Sequence, residues 1–459
     1  MKRIYLMMEI KKRELEARIY FAMKAALRGY SVCLGKKYTI YTYRDYIKKG
    51  IVIFKSIGPY NSALIDRIKK SGHEIAAWDE EGMTFFEREY IDRRTYKENL
   101  KKLIFFFTWG DIDTKLIKDY HQDQSSKIKK VGNSRIDALR YPYHKIYFDE
   151  ANEIKKKHGK FFLLPTLFTQ CNSANLYDLS YVDALLREGF KSDSPSVEIG
   201  RSLTVQQENI LAEVNIFLKE FSEKCSEHKL IVRPHPSEKI QYWFDLIKKF
   251  KNIEIVFDDQ STCSWIAASE MTISINCTTA IEAFFLKKKS VNFLPFKDES
   301  VEFLLPKVTS KVIRSTEELI NLIKDTKNHD LFDLKEEDKN IINQWLLNAF
   351  EGCSVDNLID ILESEEFKLK TFSEKKDKFS NFIFLIFLKF IRILKFRYRD
   401  LLSNKSFRLE HELTKQKFPG LTLEELNQKI SFFSKFMNNE KFKVKEIYPG
   451  LFSIEKNGD

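Results

Sequence analysis

Short apolar runs alternate with helix-patterned stretches in this chain, and the alternation begins twice. No other feature restricts the fold as much. In the first 150 residues the runs are RIYLMM, YSVCL, GIVIFKS, HEIAAWD, KLIFFFTWG and KIKKVGN, with helices predicted from about Lys12 to Arg28 and over Tyr60 to Lys70. Strands separated by helices pair in parallel through right-handed crossovers. Runs apolar at nearly every position belong to a sheet covered on both faces. After the basic stretch ANEIKKKHGK the pattern restarts with FFLLPTLF, a helix from about Val205 to Cys225, KLIVRPHP, IEIVF, MTISIN and SVNFLP. The expected fold is α/β, with two Rossmann-like, doubly wound domains, 1–150 and 151–330, facing each other across a cleft. Ligands of such sheets bind beyond the carboxyl ends of the strands.

The remainder reads as a helical extension. Residues 331–365 carry helical patterns, and residues 366–459 differ in composition. NFIFLIFLKFIRILKFRYR, 381–399, is aromatic and apolar, with Lys389, Arg392, Lys395, Arg397 and Arg399 and no acidic residue. Its nearly uncharged part is shorter than the roughly 20 apolar residues of a spanning helix. It suits a helix lying in the interface of an anionic membrane, where each basic residue adds about 1 kcal/mol. A core helix with snorkelling lysines is the structural alternative. KFPGLTLEELNQKISFF predicts a small helical cap.

The formal net charge is +11, which calls for an anionic partner: nucleic acid, a membrane surface or a phosphorylated substrate. The basic residues concentrate beside the 381–399 segment and no RNP-like or zinc motif occurs, so nucleic acid is not expected. The six cysteines form no CxxC pair and no ligand cluster. They read as reduced thiols, with no zinc site, in a cytoplasmic protein. The opening MKRIYLMMEI has too short an apolar run for a signal peptide and reads as a first buried strand.

Two elements of the second half could carry chemistry. In KLIVRPHPSEK the strand Leu230–Val232 delivers Arg233 and His235 to the edge of the sheet, and Pro236 suits the first turn of a helix. His235 would then lie at a helix amino end, where unpaired N–H groups favour an anion, and Arg233 would add charge or pair with a carboxylate. A histidine capping its own turn has the same signature. In SINCTTAIEA, a strand ends at Asn276 and a helix opens at Cys277, Thr278 and Thr279. Hydroxyls there can face a phosphate, and Glu282, one turn inside, could reach a ribose. Simple capping by Thr278, with Glu282 favouring the helix dipole, is the structural alternative. Thr166 and Gln170, in LLPTLFTQ, would sit beside the same phosphate.

In the first half, EIAAWDEEGM crowds Asp79, Glu80 and Glu81 into the turn after a strand. Neighbouring like charges raise one another's pKa, which suits a general acid or base, with Glu81, beside Gly82, preferred and Asp79 next. An ordinary solvated acidic turn is the alternative. DID at 111–113 mimics a metal-binding pair but is placed to cap a helix, and no Walker A or GxGxxG loop occurs.

VGNSRIDAL at 131–139, VRPHP at 232–236 and NCTTAIEA at 276–283 together resemble bacterial surface-carbohydrate glycosyltransferases of the GT-B fold. Relatives in that group are capsular Kdo transferases, polysialyltransferases and CDP-glycerol glycerophosphotransferases. The resemblance covers about residues 1–330. It implies that His235 and Thr278 or Thr279 hold the phosphate of a cytidine nucleotide, with Glu282 alongside. It also implies a catalytic carboxylate in the first domain, no metal cofactor, and a CMP-activated sugar such as Kdo or a nonulosonic acid as donor. The acceptor would be a glycan or lipid-linked glycan at the inner face of the cytoplasmic membrane. Arg135 and Asp137 would brace the wall between the domains. The group carries proline where Ser134 stands, which predicts a looser turn here. CDP-glycerol or CDP-ribitol phosphotransfer, and a non-catalytic assembly scaffold, are the competing readings.

Overall fold

The computed structural model describes residues 2–174, 179–325, 334–364 and 417–457. Its strands, in chain order, are β1 Lys2–Met8, β2 Tyr30–Lys36, β3 Ile51–Phe54, β4 Glu74–Trp78, β5 Phe105–Thr108, β6 Ile128–Lys130, β7 Phe162–Pro165, β8 Leu230–Arg233, β9 Ile253–Ile255, β10 Met271–Ser274, β11 Ser290–Phe293, β12 Lys311–Ile313, β13 Phe442–Tyr448 and β14 Leu451–Lys456. They build two sheets. The first runs β13-β14-β2-β1-β3-β4-β5-β6 and the second β12-β11-β10-β7-β8-β9. All neighbours from β1 to β12 pair in parallel, for example Ile4 with Val32 and Leu163 with Ile231.

The apolar runs are explained by two-sided burial. Ile4, Leu6 and Met8 face one core with the helix Lys11–Leu27, while Tyr5 and Met7 face another with Val52 and Phe54. Alternate residues of a strand point to opposite faces, so a sheet with helices on both sides needs apolar residues at every position. In β7 and β8, Leu163 and Ile231 face one core and Phe162, Leu164, Leu230 and Val232 the other.

The strand orders locate the functional edges. The second sheet has the order of a dinucleotide-binding Rossmann domain, with the direction of winding reversing between β7 and β10. In the first sheet the reversal falls between β1 and β3. Crevices open at such reversals, beyond the carboxyl ends of the strands. The two edges face each other: Lys12, after β1, donates to the backbone carbonyl of Asp258 at 2.8 Å, and Arg135 of the first domain pairs with Glu282 of the second. This is the GT-B arrangement.

The chain beyond the second sheet departs from a simple helical extension. The helix Ser354–Glu363 returns to the first domain, where Ser354 donates its N–H and its hydroxyl to Asp137 at 2.8 and 3.0 Å. Leu347 N donates to the carbonyl of Trp109 at 2.8 Å. The expected helical cap contains the helix Leu423–Ser434, but β13 and β14 follow it as a hairpin. β14 pairs antiparallel with β2, Phe452 opposite Leu34, and so extends the first sheet. Its signal lay in FKVKEIYPGLFSIEK, a period-two alternation around Pro-Gly, with Gly450 at φ +75°. The 381–399 segment and its membrane contact lie outside the described residues. Among the described residues, no helix is long and apolar enough to cross a membrane.

Candidate functional site

β8 ends at Arg233 and the chain turns at Pro234. No helix begins at Pro236, contrary to the sequence expectation: residues 235–238 form a tight turn closed by Glu238 N to His235 O at 2.9 Å, and the next helix is Ile240–Ile247. The turn stops there because Lys239 N is drawn to the carbonyl of Asn172 and Glu238 forms a bridge with Ser173. Glu238 is 1% exposed, and its carboxylate accepts from His235 N at 3.1 Å, the Thr166 hydroxyl at 2.7 Å and Trp243 Nε1 at 2.9 Å. Burial raises its pKa, and these donors oppose that rise. Sequence reasoning passed over Glu238, although the HPSE spacing carries it.

This turn fixes the imidazole. Ser237 N donates to His235 Nδ1 at 3.2 Å, so the ring proton resides on Nε2. Burial first, then the charges of Arg13, Lys417 and Lys12, push the His235 pKa down to about 3, while Glu81 pulls the other way. At neutral pH the ring is an uncharged Nε2–H donor. All four of those charged neighbours come from outside the second domain, so His235 fronts the cleft. Arg233, expected near the phosphate, is turned inward and 6% exposed. It donates to Asp258 Oδ1 at 3.1 Å, Thr262 Oγ1 at 2.9 Å and the carbonyl of Gln260 at 2.5 Å. Thr166 is held by Glu238, and Gln170 accepts from the Thr169 hydroxyl at 3.1 Å.

β10 ends one strand away from β7 on the side opposite β8. The loops after β8 and β10 are therefore separated by two inter-strand spacings, on the order of 10 Å. Asn276 makes the turn at φ +43°, a left-handed conformation that asparagine tolerates. Its side chain donates to Val301 O at 2.6 Å and accepts from Phe303 N at 2.8 Å. The cap of the helix Thr278–Phe285 is Cys277, whose sulfur accepts from Thr279 N, and not Thr278. The two threonines then differ. The Thr279 hydroxyl is buried against Ser274 Oγ at 2.9 Å and Cys277 Sγ at 3.1 Å. Thr278 is half-buried at the helix start, with Arg135 Nη2 at 3.5 Å from its hydroxyl. Glu282 is 3% exposed and paired with Arg135.

In the first domain each of the three carboxylates has its own arginine. Asp79 is fully buried and takes Arg94 through Nε at 2.8 Å and Nη2 at 2.6 Å. Glu80 is paired with Arg18, both buried. Glu81 meets Arg13 at 3.2 Å, and its side chain is 33% exposed, so of the three it alone opens to the cleft. Burial would raise its pKa, but Arg13, Arg94, Arg135 and Lys55 together hold it down at about 2. Gly82 is required by close packing: a Cβ there would lie 2.2 Å from the Trp109 ring. Trp109 Nε1 in turn donates to Asp79 O at 2.6 Å.

Arg13 went unnoticed in the sequence, along with Glu9, Glu14 and Lys55 at the first domain's reversal point. Lys55 donates to Glu14 at 2.6 Å and Glu9 at 3.2 Å, and Lys37 donates to Glu9 at 3.0 Å. Those cations hold the Glu9 pKa down at about 2 against its burial. The signal was EIKKRELE directly after β1. Asp113 accepts from Trp109 N and Gly110 N, at 2.8 and 2.9 Å, and so caps its helix. The GNSR turn is not loose: Asn133 caps its helix through Arg135 N at 2.9 Å.

No protein-family model matches the chain, and no curated protein matches it. Several solved structures are similar in fold. The UDP-GlcNAc 2-epimerase from Methanocaldococcus jannaschii is 14% identical with a TM-score of 0.47, over 79% of this chain and 98% of that one. The UDP-GlcNAc 2-epimerase from Neisseria meningitidis bound to UDP-GlcNAc is 11% identical with a TM-score of 0.46, over 79% and 100%. A variant of the wall teichoic acid polymerase TagF soaked with CDPG is 12% identical with a TM-score of 0.44, over 79% and 87%.

Proposed function

We propose that the protein is a transferase of surface-glycan assembly that uses a cytidine-nucleotide donor, with a CMP-activated 2-keto-3-deoxy sugar acid, Kdo or a nonulosonic acid, as the group transferred. The observation that carries this reading is a neutral His235, presenting Nε2–H, with an ionised Glu81 of the other domain, held by Arg13, near enough to act on its charge. The imidazole donates to the leaving phosphate as charge develops on it, and Lys12, Arg13 and Lys417 supply positive potential around it. Glu81 with a pKa near 2 is a poor proton acceptor, but it is a fully ionised nucleophile. That favours a double displacement with retention. A Glu81 oxygen bonds to the anomeric carbon, and the bond from that carbon to the phosphate oxygen breaks. CMP departs with the electron pair. The acceptor hydroxyl then displaces Glu81, and its proton passes to water or phosphate.

The acceptor in this reading is a membrane-held glycan at the inner face of the cytoplasmic membrane. The test is incubation of the full chain with CMP-Kdo, a CMP-nonulosonate, CDP-glycerol and UDP-GlcNAc, with glycan acceptors, following nucleotide release. CMP release from a CMP-sugar, lost in His235→Ala, is the expected result. Turnover of CDP-glycerol alone would make it a polyol-phosphate transferase, and CMP binding without turnover would make it a scaffold. Turnover of UDP-GlcNAc alone would overturn the cytidine assignment.

A further inference from the structure

Arg135 is a buried cation at the junction of the two domains. It is 5% exposed and sits at the start of the helix Ser134–Leu139 in the first domain. Its Nη2 reaches Glu282 and lies 3.5 Å from the Thr278 hydroxyl, both in the second domain. Its Nη1 is buried with no hydrogen-bond partner among the described residues. A guanidinium has five donors in a planar fork, and leaving one buried and unmatched is unfavourable. The unmatched arm belongs to a side chain that touches the amino-terminal residue of the eight-residue helix Thr278–Phe285. The helix dipole makes that end attractive to an oxyanion, although Thr279 N is already held by Cys277 Sγ and Ala280 N by Cys277 O.

The three donor types at this point are a guanidinium arm, a half-buried hydroxyl and a helix amino end. Together they match a phosphate group, which arginine binds through two parallel N–H bonds. A clasp between Arg135 and Glu282 alone would not explain the idle arm. The presence of Glu282 matters as well, because it holds Arg135 at the helix end while competing with an incoming anion for the same guanidinium.

We propose that Arg135, carried by the first domain, directly binds the donor's phosphate at the Thr278 end of the second-domain helix, so that the anion site is assembled from both domains. The cytidine identity of the ligand rests on the transferase reading; the anion site does not. Occupancy then ties the domains together, and removing the first domain's contribution weakens binding even with His235 and Thr278 intact.

The test is calorimetric titration of the full chain with CMP, cytidine and inorganic pyrophosphate, in wild type, Arg135→Lys and Glu282→Gln. Arg135→Lys keeps the charge that neutralises Glu282 but removes the second arm. It is expected to weaken CMP and pyrophosphate at least about tenfold, leaving cytidine unchanged. Glu282→Gln removes the competitor and is expected to bind CMP as well as wild type or more tightly. Thermal unfolding of both variants checks that the fold persists. Arg135→Lys binding CMP within about twofold of wild type would overturn the proposal, as would equal losses in both variants, the mark of a structural clasp. Wild type that binds pyrophosphate in an Arg135-dependent way but not CMP would uphold the anion site and dismiss the cytidine reading. Wild type that binds neither would overturn both.

Discussion

The Thr166 hydroxyl and the His235 backbone N–H donate to the same oxygen, Oε1 of Glu238, at 2.7 and 3.1 Å. Thr166 follows β7 and His235 follows β8, so one carboxylate ties the loops of two adjacent strands. Thr166→Val removes one donor and leaves the buried carboxylate short of a partner. It is expected to lower stability by about 1–3 kcal/mol. Because Glu238 positions the His235 loop, the variant should also raise KM for the nucleotide donor more than it lowers kcat. Denaturant unfolding and steady-state kinetics check the two effects.

Adjacent carboxylates should respond in opposite ways. Glu80 is buried against Arg18, so Glu80→Gln leaves an uncompensated buried cation and is expected to cost about 3 kcal/mol or more. Glu81 is a third exposed beside Arg13, so solvent screens its ion pairs, and Glu81→Gln is expected to cost less than Glu80→Gln, about 1–2 kcal/mol, because the cations that hold its pKa down lose their carboxylate. Turnover should fall by about three orders of magnitude in the second variant, since it removes the proposed nucleophile. Parallel unfolding and nucleotide-release assays separate the two; a fully active Glu81→Gln variant would remove Glu81 from the chemistry.

His235 should leave a signature in the pH dependence of stability. Its folded pKa is depressed to about 3, whereas an unfolded histidine titrates near 6.5. Between those values the unfolded chain binds a proton that the folded chain does not. The contribution is therefore intact above about pH 6.5 and is lost as the pH falls towards 3, amounting to about 2 kcal/mol at pH 5. His235→Gln is expected to flatten the decline between pH 6.5 and 5 relative to wild type. The subtraction matters because His73 is depressed to about 4 by its own burial. His235→Ala should also reduce turnover by about 10²–10³ at pH 7.

The two neighbouring threonines should separate binding from stability. Thr278→Val is expected to weaken CMP about tenfold with little effect on unfolding. Thr279→Val removes a hydroxyl bonded to Ser274 and Cys277 and is expected to cost about 1 kcal/mol while sparing CMP affinity. The reverse pattern, in titration and unfolding, would exchange their roles.

Gly132 has φ +88°, and a Cβ there would lie 2.3 Å from Ser354 Oγ and 2.7 Å from Leu347 O. Gly132→Ala is expected to destabilise the chain by about 1–3 kcal/mol and loosen residues 345–363 from the first domain. Hydrogen exchange localised to those residues checks it.

What the sequence determined by itself was local. Strands buried on both faces need unbroken apolar runs, and those runs in RIYLMM or KLIVR are written in consecutive residues. The turns at the strand ends were also visible, because Pro234, His235, Asn276 and the threonines are recognised within a few positions. Which side chains were still available for chemistry was not visible. Asp79, Glu80 and Glu81 form one acidic run in sequence, yet their partners Arg94, Arg18 and Arg13 come from two different helices. Arg233 was claimed by Asp258, and Glu282 by a residue 147 positions away. Ion pairing and burial depend on distances between segments that only the packed fold brings together. The tertiary structure therefore decided that Glu81, His235 and Thr278 face the cleft while their neighbours hold it in shape.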